Sequence, residues 1–151
     1  PGERTVGVQV ISERTSNQLR RLLRAVVEKG TGRKAQAPGY LVGGKTGTAE
    51  KAGIGGYRRK ALISSFVAAF PMTAPKYVVY LLLDEPQGDV ETHGYATAGW
   101  TAAPLTGRVI SRIAPILGVR PQDNQAAPVQ RAMALPLYSR VDRRGRKIAV
   151  N

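Results

Sequence analysis

The sequence predicts an α/β chain of the α+β type, an antiparallel sheet flanked by helices. Three observations carry this expectation: a helix-periodic apolar stripe near the N-terminus, three successive β-prone runs joined by hairpin-length links, and a second helical stripe after them. With 151 residues and 42% hydrophobic content the chain is long enough for one domain with a real core.

Val6 to Val10 alternate as a short strand or extended lead-in would. From Ser12 the period changes. Leu19, Leu22, Leu23, Val26 and Val27 recur at helical spacing, Ser12 or Thr15 can cap the N-terminus and Gly30 the C-terminus, which predicts a helix over residues 13–29. Arg20, Arg21 and Arg24 fall on its polar face as surface charge. A link over residues 31–39 precedes the strand Tyr40 to Thr48, and a flexible basic loop containing Arg58, Arg59 and Lys60 follows it. It is read as a hairpin loop that either borders a cleft or is simply solvated. Residues 62–70 and 77–83 are two further strands around the turn-forming segment Pro71 to Pro75. The last strand is apolar on both faces, so helices are expected on both. After a polar turn (residues 84–95) a helix is predicted over 98–117, with Pro104 in its first turn and Pro115 weakening its end. Residues 1–118 thus form the folded unit, and 119–151 are expected to be a basic Pro/Gln/Arg-containing tail, partly disordered.

Composition excludes several functions. Cysteine is absent and His93 is the single histidine, so disulfides and thiolate or histidine-rich zinc sites are not expected, and no metal or other cofactor is called for. No apolar run of about 18 residues is present. The net charge of +13 invites a nucleic-acid reading. Its distribution weakens that reading: +9 over residues 1–70, −1 over 71–119 and +5 over 120–151. The run Arg143-Arg144-Gly145-Arg146-Lys147 suits any anionic surface equally, and a solvated terminus accounts for it as well. Asp84, Glu85, Asp89 and Glu91 cluster in a polar turn, where solvated acids are the simplest meaning; His93 is read as a loop residue and Trp100 as core.

Lys45-Thr46-Gly47-Thr48, at the end of a predicted strand and followed by two strands and a helix, resembles the Lys-Thr-Gly strand of penicillin-recognising serine transpeptidases. Further segments extend the resemblance: Glu28-Lys29-Gly30-Thr31-Gly32, Pro38-Gly39-Tyr40, Thr48-Ala49-Glu50-Lys51, Ser65 to Pro71 and Leu83-Asp84-Glu85-Pro86 are similar to class B penicillin-binding proteins, closest to the septal, cell-division type. The resemblance covers about residues 8–118 and implies the C-terminal part of a penicillin-binding/serine β-lactamase-like transpeptidase fold. It implies a peptidoglycan D,D-transpeptidase whose partners are a stem peptide ending in D-Ala-D-Ala, β-lactams and other cell-division proteins. It also assigns roles: Lys45 to catalytic electrostatics, Thr46 and Thr48 to the terminal carboxylate, Gly47 to close approach, and the Thr48 N–H to an oxyanion hole.

The attacking serine is not in this chain. None of Ser12, Ser16, Ser64, Ser65, Ser111 and Ser139 has Lys three residues on, and no Ser-x-Asn occurs. The expectation is therefore that nucleophile and middle serine lie upstream in a longer periplasmic enzyme anchored to the inner membrane, that this chain alone is inactive, and that its uncovered sheet favours self-association. The competing readings are a basic nucleic-acid-binding module and a non-catalytic protein-interaction module.

Overall fold

The computed structural model describes residues 7–135, 140–141 and 147–148. Helix α1 (Glu13–Lys29) leads through a 3-10 turn (Arg33–Ala35) into strands β1 (Gly43–Gly53), β2 (Gly56–Phe70) and β3 (Tyr77–Asp84). Helices α2 (Ala102–Ile116) and α3 (Ala127–Met133) follow, then a two-residue ladder of β4 (Arg140–Val141) with β5 (Lys147–Ile148). The main sheet is antiparallel in the order β1-β2-β3, so β2 is central and β1 and β3 are edges.

β2 carries the core. Its even-numbered residues Ser64, Phe66, Ala68 and Phe70 are buried, and Leu83, Leu81, Val79 and Tyr77 stand opposite them on β3. Ala102, Ala103, Ile110 and Ala114 of α2 close over this face, with Val27 of α1, Tyr40 and Val42 completing the cluster. Two fully buried phenylalanines contribute roughly 2–3 kcal/mol each. The small residues of α2 let the helix lie close to the sheet.

Several expectations change. Residues 7–12 are irregular, with Val8 and Val10 88% exposed, and Val6 lies outside the described residues. Ser12 caps α1, its Oγ accepting from the Thr15 N–H at 3.2 Å. The face that α1 buries is only partly the expected one: Val27 is buried and Leu23 and Val26 half-buried, as the stripe predicts. Arg24 is buried, donating to the Val42 carbonyl at 2.8 Å and to Glu28 at 2.9 Å, and Arg20 donates to the Thr73 carbonyl at 3.0 Å, whereas Leu19 and Leu22 are exposed. Unpaired carbonyls where chain segments 41–42 and 72–73 turn attract guanidinium donors more strongly than the sheet attracts leucine. The hairpin foreseen after residue 48 is present, but most of its expected loop is a continuation of the β1–β2 ladder, shifted in register between Glu50 and Lys51 and closed at Gly53-Ile54-Gly55-Gly56. The side chains of Arg59 and Lys60 lie outside the described residues.

Strand β3 is covered on one face only among the described residues. Val78, Tyr80 and Leu82 are 70%, 62% and 47% exposed. Within the segment read as a tail, residues 119–133 return to the domain: the Gln122 N–H bonds the Gly39 carbonyl at 2.9 Å and Arg21 of α1 donates to Ala132 at 3.1 Å. The basic run 143–146 lies outside the described residues. Among those residues no helix is long and apolar enough to cross a membrane.

Replacing Phe66 with Ala is expected to cost about 3–5 kcal/mol in denaturant unfolding, because the ring is fully buried. Val67→Ala, on the open face, is expected to cost under about 1 kcal/mol. Equal losses would mean that the buried face is misassigned.

Candidate functional site

The end of β1 forms one wall of an open cleft of about 300 Å³ lined by Gly30, Thr31, Arg33, Lys34, Thr46, Thr48, Thr97, Gly99 and Trp100. Three chain segments far apart in sequence meet here. The register explains which β1 side chains arrive. Thr46 pairs with Phe66 and Thr48 with Ser64, both buried beneath the helices, so the two threonines share that face and point to the cleft. Lys45 and Gly47 belong to the opposite face.

Lys45 nevertheless reaches the threonine side, because β1 is an edge and its ammonium can fold around it. Nζ donates to the Thr46 carbonyl at 2.9 Å and to Thr46 Oγ1 at 3.1 Å. Thr46 Oγ1 also lies in hydrogen-bond contact with Thr31 Oγ1, 2.9 Å away, a pair in which either hydroxyl can donate. Thr48 Oγ1 accepts from the Ala98 N–H at 3.0 Å, tying β1 to the segment that opens α2. Ser64 Oγ fastens the same segment by donating to the Ala96 carbonyl at 2.6 Å. Hydroxyls and cations therefore converge on a cleft whose lining contains no carboxylate, a composition suited to an anionic group.

Gly47 sits where a Cβ would lie 2.7 Å from Ser65 Oγ, so a side chain at this position, on the face away from the cleft, requires that hydroxyl to rotate aside. Gly99 is needed in the cleft wall, because a Cβ there would approach the Thr31 carbonyl to 2.9 Å. Trp100, read as core from sequence, is only half-buried and forms the cleft's aromatic wall. Its ring stacks on Tyr95 (centroids 5.6 Å), takes His93 edge-on at 5.3 Å and lies 3.9 Å from Lys34 Nζ. Sequence reasoning missed Thr31, Lys34, Thr97 and Trp100 as cleft residues. The Gly30-Thr31-Gly32 segment was the one available signal, and nothing in it showed where the segment docks.

The acids do not enter the cleft. Asp84 and Glu85 hold Lys51 at 2.8 and 2.9 Å, and Arg58 lies 3.4 Å from Glu85. Asp89 closes a turn by accepting the Thr92 N–H at 2.8 Å, a bond that lowers its carboxyl pKa. The Asp84 hydrogen bond, then that of Glu85, raises Lys51 above its ordinary 10.5. This network clamps the base of the β1–β2 hairpin to the end of β3.

Two outcomes follow. Thr48→Val orphans the Ala98 N–H and is expected to cost about 1–2 kcal/mol in unfolding experiments, while Thr48→Ser keeps the bond and most of the stability. A lysine with a raised folded-state pKa stabilises fully below its unfolded pKa and loses that contribution as pH rises through the raised value. Stability is therefore expected to fall above pH 10.5 in alkaline titrations, and Lys51→Met to flatten that limb.

Comparison with known proteins agrees with this geometry. Residues 2–110 match the penicillin-binding protein transpeptidase domain. The chain is 49% identical over 129 residues to a probable peptidoglycan D,D-transpeptidase FtsI of Caulobacter vibrioides, covering 80% of this chain and 22% of that relative. It is 45% identical over 117 residues to stage V sporulation protein D of Bacillus subtilis, covering 78% and 17%. The transpeptidase domain of penicillin-binding protein 3 from Burkholderia pseudomallei superposes with a TM-score of 0.66 at 36% identity, covering 78% of this chain and 34% of that one. Penicillin-binding protein 3 of Mycobacterium tuberculosis, solved with ampicillin, gives a TM-score of 0.66 at 28% identity, covering 81% and 28%. The chain thus spans about a fifth of the length of these curated relatives, and the nucleic-acid alternative gains no support from them. With its edge strand, its covering helices and most of its length matched, the chain belongs to the penicillin-binding protein transpeptidase domain family.

Proposed function

We propose that this chain supplies the Lys-Thr-Gly wall of a serine-type D,D-transpeptidase site that cross-links peptidoglycan stem peptides and is acylated by penicillins, with the nucleophilic serine in sequence outside the chain. The observation that carries the reading is an edge strand presenting Thr46 and Thr48 to an open, carboxylate-free cleft, with the Lys45 ammonium bonded to Thr46 beside it. The exposed rows Leu19 and Leu22 on α1 and Val78, Tyr80 and Leu82 on β3 support it, since the rest of a larger domain would cover them. When uncovered, the same rows favour self-association.

In this reading the stem peptide lies along the free edge of β1 as an added strand. Its terminal carboxylate meets the hydroxyls of Thr46 and Thr48. The serine oxygen attacks the carbonyl of the penultimate D-Ala, its proton passing to a general base; the bond to the terminal D-Ala breaks and that residue leaves as the free amino acid. The oxyanion is held by the Thr48 N–H and the nucleophile's own N–H, and Lys45 adds positive charge beside it. The amine of a second stem peptide then attacks the ester, forming the cross-link and releasing the serine. Such an enzyme works in the periplasm beside other cell-division proteins, held to the inner membrane by a segment outside this chain.

The 151-residue chain alone is expected to show no labelling by a fluorescent penicillin. In a longer polypeptide that also carries the Ser-x-x-Lys segment, Lys45→Met is expected to slow acylation by about 10²–10³-fold. Labelling of the isolated chain, or an unaffected Lys45→Met variant, would defeat the proposal.

A further inference from the structure

We propose that a second concavity, between the Arg33–Ala35 turn and α2, is a binding site for a phosphate group. This groove of about 410 Å³ is lined by Lys34, Gln36, Pro38, Pro104, Gly107, Arg108, Ser111 and Arg112, and contains no acidic residue. Its floor exists because α2 lies almost against the turn: a Cβ on Gly107 would approach the Gln36 carbonyl to 2.8 Å.

The charge arrangement is the argument. Arg108 and Arg112 are the only charged residues of α2 and stand one helical turn apart, where like charges repel. Lys34, in the turn, borders the same groove, its ammonium resting 3.9 Å from the centre of the Trp100 ring. Among the described residues none of the three takes part in an ion pair. Asp89 and Glu91 line a neighbouring hollow that Lys34 and Arg108 also border, yet among the described residues neither acid forms an ion pair with either cation. The Ser111 hydroxyl donates into its own helix, to the Gly107 carbonyl at 3.0 Å, so recognition falls to the cations.

Two guanidinium forks bordering one hollow match the several acceptor oxygens of a phosphate, and the Lys34 side chain at the rim adds a third positive charge. The groove is short, and Pro38 and Pro104 in its lining offer no stacking surface, so an extended nucleic-acid strand fits poorly. Lys34 borders this groove as well as the cleft beside Thr46, so the two concavities have one cation in common. The phosphate can come from a free anion or from a lipid headgroup.

The test titrates the full 151-residue chain with inorganic pyrophosphate by calorimetry, and in parallel measures co-sedimentation with phosphatidylcholine vesicles with and without phosphatidylglycerol. Arg108→Gln/Arg112→Gln is compared with Arg14→Gln, an exposed arginine of α1, with circular dichroism confirming equal folding. Salt-sensitive pyrophosphate binding that weakens about tenfold in the double variant and is unchanged in Arg14→Gln supports a free-anion site. Binding to the phosphatidylglycerol vesicles alone, lost in the same double variant, supports a headgroup site. Binding that the double variant retains, or no binding to either probe, overturns the proposal.

Discussion

The pairing of β1 with β2 decides almost everything that follows from it. Phe66 must be buried, because a ring of that size gains too much from leaving water to be placed on the open face. Antiparallel pairing sets Thr46 directly opposite Phe66 and Thr48 opposite Ser64. Side chains at paired positions share a face, so burial of Phe66 obliges both threonines to face the helices and line the cleft. A slip of one residue would turn Thr46 and Thr48 to the other face and bring Lys45 and Gly47 to the cleft. The hydrophobic core thus sets the chemistry of the edge strand through its register.

The same pairing leaves the outer edge of β1 with unpaired backbone groups. Exposed edges invite further strands, and proteins usually protect them. Here Lys45 stays close to its own strand, bonded to Thr46, while the cleft beyond is walled by Thr31, Thr97 and Trp100. An edge held open beside convergent hydroxyls suits reception of a peptide, whereas the outer row of β3, with Val78 and Tyr80 exposed, is an apolar surface of a different kind.

Much of the architecture was legible because the periodicities are clean. The bounds of α1 match the stripe and the Ser12 cap, and the order of three strands and a helix holds. The burial of α1 was read correctly at Val27 and wrongly at the arginines, because apolar spacing says nothing of distant carbonyls, and those carbonyls hold Arg20 and Arg24 against the domain. The hairpin beyond Thr48 was expected, but with too long a loop, because glycine and charge dominate the segment, while the clamp of Lys51 on Asp84 and Glu85 joins residues 33 and 34 positions apart. The site was legible only along β1. Thr31 and Trp100 join it through tertiary contacts, Gly99 against Thr31 and Ala98 on Thr48, which no local pattern encodes.

The central claim is that the free edge of β1 receives a peptide-like ligand. Hydrogen exchange of the longer polypeptide, compared before and after acylation by a penicillin, tests this most directly. The outward backbone amides within residues 45–48 should become more protected, while those of α2 over residues 106–114 keep their rates. Unchanged exchange along β1 in the fully acylated protein would contradict the account.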